Sequence, residues 1–183
     1  TIAANIANES ADAFFLPRHI ALYSGAPETS PALLSQRICG SGLEVIGQAA
    51  EQIGMGKGNL VLASGTEVMS RMPLVSFDAR MGFDLGRPNY KDMLWEALDD
   101  TAAVPMGQTA DNLAREYKLS REKVDKFAKR SQDRYFAANE AGFFKDEILP
   151  IEAKGVIETE GLKPRKYRLN AKETVSQDEH PRQ

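Results

Sequence analysis

The chain has 183 residues, 42% apolar and 27% charged, with a formal net charge of −3. That is enough for one ordinary domain or for parts of two, in the balance of a soluble globular protein. The charge gives no case for nucleic acid, and no apolar run approaches the roughly 20 residues that a membrane helix needs.

In chain order, residues 1–6 read as a short strand, and 11–23 as a helix interrupted at Pro17 or beginning there. Residues 33–38 read as a second strand. Residues 43–53 read as a helix, with Leu43, Val45, Ile46, Ala49, Ala50 and Ile53 at three- and four-residue spacing. Gly54 is expected to end it, with Gly56 and Gly58 in the turn. Leu60-Val61-Leu62-Ala63 is continuously apolar, as in a buried strand. Strand, helix, strand in this order predicts a crossover in a parallel sheet, hence an α/β fold. Residues 71–105 read as an irregular loop with a short helix at 93–98 around Trp95, and loops this long are often functional. Helices are expected at 109–117 and 121–141, the second capped by Ser120 and closed by Gly142. Its expected buried face holds Val124, Phe127, Ala128, Ser131, Tyr135 and Ala138. After Pro150 the chain turns polar, with weak strands at 156–157 and 167–169. Lys163, Arg165, Lys166 and Arg168 gather there between acidic residues and read as a solvated strand or loop.

Cys39 is the single cysteine, so no intrachain disulfide forms and a reducing compartment, the cytoplasm, is expected. The N-terminus has no signal-peptide layout. Cys39 stands between a predicted strand and a predicted helix. Free N–H groups and the helix dipole favour an anion there. A thiol so placed has a lowered pKa, and its thiolate is the nucleophile. Gly40 and Gly42 remove side-chain bulk, so that a substrate carbonyl can approach the backbone. The Cys39 N–H can face a developing oxyanion. The layout has the mechanical logic of a nucleophile elbow with Cys in place of Ser. Two other readings stay open on the residues alone. A lone cysteine can be a small buried hydrophobe. A strand-Gly-Ser-Gly-helix turn can bind phosphate, although the Lys of a P-loop and the dinucleotide spacing are missing. Thiol chemistry also needs a base. The only histidines are His19, in an amphipathic segment, and His180, beside Pro181 in a charged tail. Each reads as a surface or packing residue. No Cys/His ligand spacing suggests a metal.

Gln36-Arg37-Ile38-Cys39-Gly40-Ser41-Gly42 resembles the signature of the thiolases around their acyl-accepting cysteine. Gly65-Thr66-Glu67-Val68-Met69-Ser70 is close to G-G-T-E-S-M-S, with Val68 in place of the common Ser. Met106 to Asn112 resembles M-G-x-T-A-E-N. Ser120-Arg121-Glu122 with Asp125, Phe127 and Ala128 resembles S-R-E-x-x-D-x-F-A. Gly142-Phe143-Phe144 with Glu147, Ile148 and Pro150 resembles G-x-F-x-x-E-I-x-P, and Asp178 to Arg182 resembles D-E-x-P-R. The matches keep the family order and cover nearly the whole chain.

The resemblance implies part of an α/β thiolase sheet domain in α/β/α layers at residues 1–70, and a mostly helical loop domain covering CoA at 71–183. It implies acyl transfer between acyl-CoA and CoA or acetyl-CoA through an acyl-cysteine on Cys39. Leu98 and Met106 would line the CoA tunnel, and both also have an ordinary core reading. No cofactor is implied beyond the CoA thioesters that are substrates. The family forms dimers and tetramers. The loop with Trp95 resembles the degradative 3-ketoacyl-CoA type somewhat more. The family's histidine in G-H-P, its second cysteine in C-x-G and its asparagine in N-E-A-F do not occur in these residues. The expectation is therefore a thiolase half cut at both ends and inactive alone. A non-catalytic acyl-CoA-binding or assembly module is the alternative. Other condensing enzymes of the superfamily fit the 106–112 and 178–182 stretches less well.

Overall fold

A computed structural model describes residues 1–7, 9–83, 85–98, 103–160 and 164–182. Its residues cluster into two compact units. One holds Thr1–Pro105 with Thr159–Pro164, and the other holds Met106–Glu158 with Arg165–Gln183.

The first unit is built on three parallel strands. β1 (Ile2–Ala4) lies in the centre, with β2 (Leu33–Ser35) on one side and β3 (Ala63–Gly65) on the other. Hydrogen bonds on both edges and small side chains bury β1 completely, and Ala3 has 0% exposure. α1 (Leu16–Tyr23) begins with Pro17 in its first turn, where proline's missing N–H costs nothing. A 3-10 turn, Ala13–Phe15, precedes it. α2 (Ser41–Gly54) returns the chain from β2 to β3. Its residues Ser41, Val45 and Ala49 are four apart and form the buried stripe. Val45 and Ala49 pack with Ile2 and Ala4, and Val61 and Ala63 lean against them.

The parallel crossover is as the sequence predicts, but the strands are shorter. β2 stops at Ser35 rather than at residue 38, because the chain turns at Arg37 and Ile38 has φ of 47°. β3 starts at Ala63 rather than Leu60. Ile2 N–H donates to the Leu62 carbonyl at 2.8 Å, and Leu60 lies beyond that pairing, fully in solvent. α2 gains a residue pair at its start and includes Gly54. Only Val45 and Ala49 of its apolar pattern are buried: Leu43, Ile46, Ala50 and Ile53 are exposed.

The loop at 71–105 carries more order than expected, apart from residues 84 and 99–102, which lie outside the described residues. β4 (Leu74–Val75) pairs antiparallel with β5 (Lys91–Asp92). α3 (Met93–Leu98) follows, and Asp92 Oδ1 accepts the Leu94 N–H at 2.9 Å. A two-residue ladder has no alternation for a sequence pattern to show.

The second unit holds α4 (Met106–Glu116), α5 (Arg121–Glu140) and a hairpin of β6 (Lys154–Glu158) with β7 (Lys166–Asn170). Ser120 caps α5 by accepting the Lys123 N–H at 3.4 Å, and Gly142 follows the helix at φ of 73°. The expected buried face of α5 is not buried. Val124, Phe127, Ala128 and Ser131 are exposed, and only Tyr135 and Ala138 are partly covered. The Arg130 guanidinium covers the Phe127 ring at 4.9 Å. Further along, Tyr135 stacks on Phe144, with ring centroids 5.5 Å apart. Lys166 pairs with Glu158 across the hairpin at 3.1 Å, and Lys163 lies outside the described residues.

The stripe on α2 gives a stability prediction. Val45→Ala should cost about 2 kcal/mol, since it removes two packed methyl groups at a site with 2% exposure. Leu43→Ala, at 80% exposure on the same helix, should cost less than about 0.5 kcal/mol. Urea unfolding of both variants checks this, and equal midpoints would be inconsistent with the assigned face.

Candidate functional site

The carboxyl ends of β1, β2 and β3 lie on one edge of the sheet, since all three strands are parallel. That edge is where parallel sheets bind ligands. Each strand there leads into a segment noted above.

The segment after β2 carries Cys39. The cysteine does not open the helix; it sits one residue before Gly40, the residue that flanks α2. Its side chain is exposed. Two backbone bonds close the turn: Gly40 N–H to the Arg37 carbonyl at 3.0 Å and Ser41 N–H to the Ile38 carbonyl at 3.1 Å. The Ser41 hydroxyl adds two more. It accepts the Arg37 N–H at 2.8 Å and donates to the Ile38 carbonyl at 2.6 Å. Ile38 is β-branched yet has positive φ, which costs of order 1–3 kcal/mol. In a nucleophile elbow the strain sits on the nucleophile. Here it sits on the residue before the thiol. The space beside the turn is open, as a Cβ on Gly42 would meet nothing within 4 Å. Arg37 is tied outward to Glu44 at 2.8 Å, and Gln48 Nε2 bridges Glu44 Oε1 at 2.8 Å and Ser35 Oγ at 3.2 Å. The Arg37 guanidinium and the Gln48 amide hold the Glu44 carboxyl below its ordinary value.

The segments after β1 and β3 are latched to each other. Asn5 is buried, and its Nδ2 donates to the Thr66 carbonyl at 2.9 Å. Glu67 reaches across to the β1 side, accepting the N–H of Ile6 at 2.9 Å and of Ala7 at 3.2 Å. Glu9 reaches back, accepting the Val68 N–H at 2.9 Å and an Asn5 amide hydrogen at 3.2 Å. Gln36 joins the cysteine segment to this latch by donating to the Ile6 carbonyl at 2.8 Å. Asn5 and Glu9 were not visible as partners in the sequence, because their contacts span about 60 residues without any periodic signal. Glu67 was visible only inside its motif.

The other expected site residues are more dispersed. Leu98 ends α3 and Met106 begins α4 in the other unit, and both side chains are accessible. His19 is engaged on α1. Its Nδ1 lies 3.1 Å from Asp12 Oδ1, and its ring sits 6.2 Å from Phe15 and 5.7 Å from Tyr23. His180 lies in the second unit's tail, whose Arg182 N–H donates to Gln132 at 2.9 Å.

Partial burial pushes the Glu9 carboxyl up, but its own backbone N–H, Glu67, the Val68 N–H and Asn5 together hold it below its ordinary value. A depressed carboxylate stabilises the fold above the unfolded value, near 4.3, and loses that contribution as pH falls through its folded value. The Val68 amide should therefore stay protected from exchange at pH 7 and lose protection below about pH 4. Glu9→Gln should lower its protection already at pH 7. Unchanged protection down to pH 3 would remove Glu9 from the latch.

The family model described as thiolase, N-terminal domain, matches residues 1–183. Human mitochondrial 3-ketoacyl-CoA thiolase is 40% identical over 183 residues, covering 99% of this chain and 43% of the relative. The crystal structure of that human enzyme in complex with CoA has a TM-score of 0.76 at 39% identity, covering 92% of this chain and 41% of the other. The Bacillus anthracis acetyl-CoA acetyltransferase structure has a TM-score of 0.76 at 34% identity, covering 99% and 43%. The chain thus spans less than half the length of the relatives it matches. It belongs to the thiolase family and carries the family's α/β N-terminal domain.

Proposed function

We propose that this chain supplies the acyl-accepting part of a thiolase, with Cys39 as the nucleophile. The observation that carries the reading is the exposed Cys39 in a turn braced by Ser41, at the carboxyl edge of a parallel sheet. In degradation, Cys39 Sγ bonds to the 3-keto carbon of 3-ketoacyl-CoA and the bond from that carbon to the α-carbon breaks. The α-carbon takes up the proton that the thiol gave up and leaves as acetyl-CoA. A CoA thiol then bonds to the acyl carbon, and its proton returns to Cys39. In synthesis, Cys39 Sγ bonds to the thioester carbonyl carbon of acetyl-CoA, the carbonyl–sulfur bond breaks, and CoA leaves as a thiol with the cysteine's proton. The α-carbon of a second acetyl-CoA then takes the acetyl group and gives its proton to Cys39.

Residues 71–183 act in this reading as the loop domain over CoA, with Leu98 and Met106 against the ligand. A dimer or tetramer and a reducing compartment such as the cytoplasm complete it. The 183-residue chain alone is inactive. Transfer needs a base within hydrogen-bond reach of the thiol, and general acid–base help contributes about 10²- to 10⁴-fold. Neither histidine of the chain is in a setting that suits it.

Two outcomes are expected. The purified chain thiolyses acetoacetyl-CoA no faster than its Cys39→Ser variant. Bromoacetyl-CoA still alkylates Cys39, and excess CoA slows that labelling, as read by intact mass. Labelling that ignores CoA would sink the CoA assignment. Turnover at an enzymatic rate would sink the inactivity.

A further inference from the structure

We infer that Ser41 is a positioning residue for Cys39, holding the thiol's turn in a backbone conformation that the turn would not keep unaided. The inference rests on the reading of Cys39 as nucleophile, and it adds a residue to that site. Ile38 provides the first part of the case. A β-branched side chain at φ of 47° relaxes to negative φ unless its surroundings forbid it. Relaxation would swing the peptide that joins Ile38 to Cys39 and redirect the thiol.

What forbids it is concentrated in one side chain. The Ser41 hydroxyl uses both of its capacities on the turn, accepting from Arg37 N–H at 2.8 Å and donating to Ile38 C=O at 2.6 Å. These groups bracket the strained residue. The Ile38 carbonyl therefore accepts twice from the same residue, since the Ser41 N–H also reaches it at 3.1 Å. Ser41 itself cannot drift. It has 4% exposure and leads the stripe that continues with Val45 and Ala49 into the sheet core. Rigidity thus passes from the core, through one hydroxyl, to the residue beside the thiol. The hydroxyl is spent on the turn and not on the helix, because α2 has no side-chain cap. Of its first-turn N–H groups, that of Ser41 is spent on the Ile38 carbonyl, while those of Gly42 and Leu43 have no partner one turn back in the helix.

The test compares alkylation of Cys39 by anionic iodoacetate and neutral iodoacetamide. The urea-unfolded chain gives the reference ratio. A thiol held against a helix N-terminus should favour the anion by about threefold over that reference. Ser41→Ala should bring the ratio back to the reference while the far-UV circular dichroism is kept. Ser41→Thr, which retains the hydroxyl, should keep the wild-type ratio. A merely structural role would change the unfolding midpoint of Ser41→Ala and leave the ratio alone, and that result overturns the inference. The wild-type chain offers a check that needs no variant. The Arg37 amide should be protected from hydrogen exchange, and exchange at an open-loop rate also overturns it. No CoA enters either measurement, so failure of the thiolase reading would show separately, in the loss of CoA competition.

Discussion

β1 can be wholly buried because it is paired on both edges and Ile2 and Ala4 pack against Val45 and Ala49 of α2. That double pairing is the constraint on which the first unit depends. The crossovers through α1 and α2 make β2 and β3 run parallel to β1, so all three release their chains on one edge. The double pairing sets where they do so, because the registers Ala4 to Ser35 and Ala4 to Gly65 end the ladders level with one another. Backbone donors and acceptors that leave the ladder must find new partners. At this edge they find them in Asn5, Glu67, Glu9 and Gln36. The edge is thus rigid through polar bonds between segments far apart in sequence, not through apolar packing.

The cysteine turn meets a different need with the same means. A strand running on to the helix without a break would carry its side chains alternately up and down, with nothing to hold a thiol clear of the surface. Breaking the strand at Ser35 and forcing Ile38 to positive φ leaves Cys39 exposed beside a helix end. The strain is local, and its restraint draws on the core stripe of α2. Packing of Val45 and Ala49 under the sheet therefore bears on the position of a thiol that neither residue touches.

Legibility in the sequence followed the range of each interaction. The crossover, α3, α4, α5 and the Ser120 cap were readable, since propensity, periodicity and capping act over a few residues. Strand ends were less so. Residues 36–38 follow the apolar run Leu33-Leu34 without a Gly or Pro to mark a break, yet Gln36 turns its side chain to Ile6 and Ile38 takes a conformation that glycine usually supplies. The burial of α5 was misread because a 3.6-residue period says which face is apolar, not that something covers it. At the site, Cys39 was legible through its motif. The clasp by Ser41 was not, because a serine at a helix start reads equally well as a solvent-exposed first-turn residue.

Position and proton transfer are separate requirements, and the chain meets them unequally. The turn, the clasp and the open space beside Gly42 all concern where the thiol sits. None of them removes its proton. His19 is the one histidine of the first unit, and it is already engaged on its own helix by Asp12, with Phe15 and Tyr23 to either side. Moving it would cost those contacts. Glu44, next along α2, is a carboxylate held ionised by Arg37 and Gln48, so its basicity is reduced by the bonds that order it. A base for Cys39 therefore has to reach the open side of the turn from outside the sheet edge. The space beside Gly42, where an added Cβ would meet nothing within 4 Å, leaves room near the turn for such a group.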